Sequence, residues 1–350
     1  MPKYYMISIR SVDRVKGTFG TEQGPMTFWT SDAGPLNDFS SWIEIRSLDD
    51  FKTLIIAAAN QLRVVADPAK QEDQQHVTLM IHGFNESWQD AAALYQSVCD
   101  TLFAGAPDAA GNMGICVSFD WPSRGSVAGY LPDRATVEQC APDLVDILDE
   151  LYEWLIDKQY VAAQAAADPS NTTLAAQVCR AKTSIIAHSM GNYLTQLAMY
   201  KLWVRKNQPL LVSFVNQLLM VAADVDNDLF DDGETVTNTG GEGIANLTYR
   251  VTALYSGLDA VLGVSASLKH FGKRRLGRSG LNDPTRVPDN VWANDCTSLL
   301  PGGANYPTWQ VHGVYFNPTD GAKIFALMRE VLRGIDRGVL VARGLAPAPS

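Results

Sequence analysis

Several short runs of this chain are predominantly apolar, without a polar-apolar alternation: HVTLMI (76–81), GICVSF (114–119), TSIIA (183–187) and VNQLLMVAA (215–223). A strand that is apolar on both sides needs cover on both sides, the arrangement of a parallel sheet between two layers of helices. Helical spacing follows the first three runs, at about 86–104, 133–167 and 190–206. In the second of these, Leu144, Ile147, Leu148, Leu151 and Leu155 form one apolar stripe. RVTALYS (250–256) predicts a further strand with a helix over 259–271, VWAN (291–294) a short strand, and FALMREVLRGI (325–335) a closing helix. Strand, loop and helix repeated in this way specify a doubly wound α/β domain, with ligand loops at the carboxyl ends of the strands.

The opening has another character. YYMISIR, MTFWT and WIEIR alternate with Gly- and Pro-rich turns, which predicts antiparallel strands. A helix over about 49–66 then ends ahead of Asp67-Pro68. A chain of 350 residues, 46% of them hydrophobic, can bury one large core. The expectation is a single domain over 1–350, with N-terminal strands and a helix over 1–70 and an α/β core over 76–335.

A formal net charge of -10 speaks against a nucleic-acid binder, which needs cations to neutralise phosphates. The first residues, MPKYYMISIRSVDR, lack the basic and then apolar pattern of a secretory signal. No stretch approaches the roughly 18 apolar residues of a membrane helix. The cysteines, at 99, 116, 140, 179 and 296, are odd in number and never form CxxC, which opposes a disulfide framework or a thiolate metal cluster. These features predict a soluble cytoplasmic protein with no metal or cofactor and a small molecule as its partner. They do not specify an oligomeric state.

Ala187-His188-Ser189-Met190-Gly191 joins the strand TSIIA to the helical NYLTQLAMY. In a nucleophile elbow a serine occupies such a tight strand-to-helix turn, flanked two residues away on each side by small residues. Here alanine replaces the first of the two usual glycines, and it is still small. A serine ahead of a helix is also an ordinary cap, so the partners matter. The strand 76–81 runs into His82-Gly83-Phe84-Asn85, where a glycine lets the backbone approach a substrate. The Phe84 and Met190 amides are therefore the candidate oxyanion donors.

In this arrangement the acid and then the histidine follow the serine along the chain. Only His270 and His312 lie beyond Ser189. His270 stands among cations in LKHFGKRR, which oppose an imidazolium. His312, in WQVHGVYF ahead of the last helix, is the candidate base; His76, His82 and His188 read as structural. Asp259, just past RVTALYS, is the leading acid, although an aspartate there also suits a helix cap. Asp224 and Asp226 are the reserves.

The blocks IHGFNESWQDAA, FDWPSRGSVAGYLPDR, IIAHSMGNYLTQLA, LLMVAADVDNDLF and YSGLDAVLGVS, with RLG shortly after, occur in that order. Together they resemble a branch of the α/β-hydrolase superfamily catalogued as domain of unknown function nine hundred. The resemblance spans about 76–335 and leaves 1–70 outside. It implies the α/β-hydrolase fold and a Ser–Asp–His site at Ser189, Asp259 and His312. The expected activity is a serine hydrolase that cleaves a carboxylic ester through an acyl-enzyme. Amidase, thioesterase or non-catalytic scaffold use of the same site are the alternatives.

Trp121, Tyr130 and Trp309, with the stretches 123–130 and 297–309, are expected to wall the substrate pocket. The acidic, Gly-rich segment 224–249 predicts a mobile flap. Its DVDNDLFDDGE lacks the sixth-position Gly and twelfth-position Glu of a calcium loop, Leu229 and Thr235 standing there instead, and it reads as a solvated acidic loop. Lys269, Lys273, Arg274, Arg275 and Arg278 read as a solvated basic face.

Overall fold

A computed structural model describes residues 3–65, 67–105, 111–125, 130–168, 170–175, 178–206, 213–231, 240–269, 272–300 and 308–347. The strands are β1 (Tyr4–Asp13), β2 (Thr18–Ser31), β3 (Ile43–Ile45), β4 (His76–Ile81), β5 (Gly114–Asp120), β6 (Lys182–His188), β7 (Val215–Val221), β8 (Thr248–Tyr255) and β9 (Val291–Asp295). They form one sheet in the order β3-β2-β1-β5-β4-β6-β7-β8-β9. The β1–β2 and β2–β3 pairs are antiparallel, and the other pairs are parallel. The sequence expectation of an α/β-hydrolase fold with N-terminal antiparallel strands is met.

The helices are α1 (Leu48–Ala59), α2 (Trp88–Leu102), α3 (Tyr130–Ala167), α4 (Thr172–Ala175), α5 (Gly191–Arg205), α6 (Gly240–Leu247), α7 (Ala260–Lys269), α8 (Leu276–Ser279), α9 (Val311–Val314), α10 (Ala322–Leu332) and α11 (Arg337–Ala342). Two apolar clusters occupy the two faces of the sheet. One joins Leu144, Leu148, Leu194 and Leu202 of α3 and α5 to Ile185 and Leu218. The other joins Val98, Leu102, Phe325 and Met328 of α2 and α10 to Ile186 and Leu219. Neighbouring residues such as Ile185 and Ile186 therefore enter different layers, which is why these strands show no polar-apolar alternation. Full burial of each such side chain contributes about 1.5–3 kcal/mol.

Two expectations are corrected. The first helix stops at Ala59, capped by Asn60, and does not continue to about 66. Side chains take over the backbone there: Gln75 Oε1 accepts from Arg63 N–H, and Gln74 Oε1 accepts from Val65 N–H. Second, the Gly-rich stretch contains α6, so it is not simply a flap. Its glycines are contact points: a Cβ on Gly243 would stand 2.7 Å from Tyr200 Cα, and one on Gly241 2.0 Å from the Leu229 carbonyl. Residues 232–239, in the middle of the predicted flap, lie outside the described residues. Among the described residues no helix is long and apolar enough to cross a membrane. The five cysteines are free and buried.

Candidate active site

Ser189 stands between β6 and α5 with φ at 50°. Its N–H donates to the Val221 carbonyl at 2.9 Å, and its own carbonyl accepts from Asp224 N–H at 3.1 Å. The end of β7 thus grips the turn from both sides. Asn192 Nδ2 braces it further by donating to the Ala187 carbonyl at 2.9 Å. Gly191 is required by close approach, since a Cβ there would lie 2.4 Å from the His82 carbonyl oxygen.

His312 lies on α9, a single turn ahead of α10. Its Nε2 is 2.7 Å from Ser189 Oγ, and its Nδ1 is 2.7 Å from Asp259 Oδ2. A carboxylate facing Nδ1 holds the proton there, leaving Nε2 to accept from the serine hydroxyl. Asp259 is fully buried in the loop between β8 and α7. Its other oxygen caps that helix by accepting from Leu262 N–H at 3.0 Å, so one aspartate serves as both cap and orienting carboxylate. Burial opposes the charged form of His312. Asp259 outweighs that, helped by Asp224 and Glu86, and the His312 pKa lies above the ordinary imidazole value.

The loop 82–86 closes the other side. A Cβ on Gly83 would fall 2.9 Å from Ser189 Cβ and from His188 Nδ1. Neither the Phe84 nor the Met190 amide donates to another group among the described residues. A cleft of about 380 Å³ opens over Ser189 and His312. Phe84, Tyr130, Val261, Leu262, Val264 and Trp309 supply its apolar lining.

Residues 57–289 match the family described as alpha/beta hydrolase of unknown function (DUF900). The chain belongs to that family. An uncharacterised protein of Nostoc sp. (strain PCC 7120) is 22% identical over 307 residues, covering 71% of this chain and 72% of that protein. Among solved structures, a Pyrobaculum calidifontis esterase is similar at 12% identity and a TM-score of 0.34, over 75% of this chain and 77% of that one. An esterase of the bacterial hormone-sensitive lipase family is similar at 14% identity and a TM-score of 0.32, over 83% and 92%.

Three expectations about this alpha/beta hydrolase's site need correcting. Tyr130 and Trp309 do line the cleft, but Trp121 does not. It is fully buried behind the loop 82–86, stacked on His82 at 5.3 Å and donating from Nε1 to the His82 carbonyl at 2.9 Å. Asp224 is not part of a solvated loop, nor Arg275 of a solvated face: both are buried. Arg275 Nε donates to Asp224 Oδ1 at 2.8 Å, and its Nη1 pairs with Asp226. Burial pushes the Asp224 carboxyl up, but the guanidinium, with the Tyr130 and Ser265 hydroxyls, holds it below the usual carboxylate range. With its oxygens so engaged, Asp224 leaves Asp259 to face His312. His270 and residues 126–129 and 301–307 of the expected pocket walls lie outside the described residues.

Sequence reasoning passed over Glu86 and read His188 only as structural; both pack beside His312. A signal was present: Glu86 falls within the IHGFNES block, and His188 immediately precedes the serine.

Proposed function

We propose that the chain is a serine hydrolase acting on a carboxylic ester through an acyl-enzyme. The observation that supports this best is the unbroken line from Ser189 Oγ through the His312 ring to Asp259, with 2.7 Å at each end. Ser189 Oγ attacks the acyl carbon as its proton passes to His312 Nε2, and the imidazolium then gives that proton to the departing alcohol. Water repeats the sequence on the acyl-serine and releases the acid. The Phe84 and Met190 amides receive the oxyanion, and Asp259 holds the imidazole tautomer. An apolar cleft of about 380 Å³ suits a short or medium acyl chain.

A fluorophosphonate probe tests the reading directly. Labelling should occur on the native protein and vanish in Ser189→Ala. Turnover of p-nitrophenyl esters in that variant should fall by roughly 10³-fold or more, as when a triad nucleophile is removed. Unchanged turnover in a folded Ser189→Ala protein removes the proposal. Labelling without turnover of any ester moves the substrate to an amide or thioester.

A further inference from the structure

His188 is buried and Glu86 largely so beside the proposed triad, yet the acyl transfer described above uses neither. His188 Nε2 donates to the backbone carbonyl of His312 at 3.1 Å. Its ring lies 5.1 Å from the His312 ring and edge-on to Phe316 at 5.2 Å. His188 Nδ1 is 3.3 Å from Glu86 Oε1, a charge-pairing distance off the line of a hydrogen bond. Glu86 is held from the opposite side as well. Its N–H donates to Ser123 Oγ at 3.3 Å, its carbonyl accepts from Arg10 Nη2 at 3.3 Å, and His82 Nδ1 stands 3.7 Å from Oε2.

Two loops from distant parts of the chain must meet here. One carries the Phe84 amide and the other carries His312. The second includes only the one turn of α9, and a helix that short is not stable by its own hydrogen bonds. The Glu86–His188 pair supplies the missing brace, because it grips the His312 backbone from one end and belongs to the Phe84 loop at the other. The pair sets a second carboxylate beside a second imidazole, at 3.3 Å and without the hydrogen bond that joins Asp259 to His312.

We propose that Glu86 and His188 are positioning residues that fix the His312 backbone against the loop carrying the Phe84 amide; this rests on the ester-hydrolase reading. The charged and titratable groups facing His312 are Asp259 from the β8–α7 loop, Asp224 from the end of β7, Glu86 and His188. Arg275 backs Asp224, and His82 backs Glu86. Glu86 stays ionised: burial pushes its carboxyl up, but His188 and His82 outweigh that and lower it. Its negative charge favours the His312 imidazolium, so neutralising it shifts the acid limb of the rate profile to lower pH.

The test uses the full chain and its His188→Ala, His188→Gln and Glu86→Gln variants, with p-nitrophenyl acetate kinetics from about pH 5 to 9 and thermal melting. Fluorophosphonate labelling of the unsubstituted protein is measured first; no labelling and no turnover overturn the hydrolase reading and this proposal with it. With that reading intact, His188→Ala should lose about 10- to 100-fold in kcat with KM nearly unchanged. His188→Gln, whose amide nitrogen takes the place of Nε2, should recover most of the loss. Glu86→Gln should move the acid limb down by a few tenths of a pH unit. Three variants matching the parent at every pH overturn the proposal. So does a loss in His188→Ala that tracks a collapse in melting temperature and is not rescued by His188→Gln.

Discussion

Ser189 holds a left-handed backbone, φ 50°, at a non-glycine position. Such conformations cost of order 1–3 kcal/mol and persist only where the surroundings impose them. Here Val221 and Asp224 impose it by clamping the turn through its N–H and carbonyl. The result is a hydroxyl lifted off the strand toward His312. The environment of His312 then sets a pH dependence. Its pKa is raised, chiefly by Asp259 acting against burial, and only the neutral ring accepts the serine proton. The acid limb of kcat/KM is therefore expected above the roughly 6.5 of an unperturbed imidazole, with activity lost as pH falls through it. A limb below that value, measured on a p-nitrophenyl ester, contradicts the Asp259–His312 coupling.

At the scale of elements, the site consists of strand ends joined by loops that approach more closely than side chains ordinarily allow. Gly83 brings the β4 loop against the β6 turn, and Gly191 brings the start of α5 against the His82 carbonyl. Gly83→Ala should leave the fold intact and lower kcat by about 10- to 100-fold, since a displacement of order 1 Å at a reacting centre costs that much. Kinetics alongside circular dichroism check this; full activity would mean the loop gives way freely. The same property explains why α6 was missed. Glycines in GGEG suggest a loose segment when only neighbours in the chain are considered. Packed on α5, they are where two backbones come together.

For the whole molecule, the N-terminal strands extend the sheet that carries the candidate site and also reach that site. β1 pairs with β5, and its buried Arg10 donates to Asp120 at 2.7 Å, to the Ser123 carbonyl at 2.9 Å and to the Glu86 carbonyl. Arg10 lies outside residues 57–289, the span matched by the family, while its three partners lie within it. A chain starting at residue 48 should lose soluble, folded protein, because it exposes the β5 edge and leaves Asp120 without its guanidinium. A soluble, active truncated protein on size-exclusion and esterase assays would contradict this. The alternation of apolar strands and helices, the AHSMG turn and the order of serine, acid and histidine were legible along the chain. The first two repeat every two to four residues or occupy one short turn, where nearest-neighbour chemistry is enough; the order runs from Ser189 to His312 and was read from the fold's chain order. Asp259 was legible as the leading acid, but the pairing that removes Asp224 from the reserves, the retreat of Trp121 behind the cleft and the burial of Arg275 were not. Each depends on which distant groups share a water-free space, and a buried charge is tolerable only where topology has brought its partner alongside.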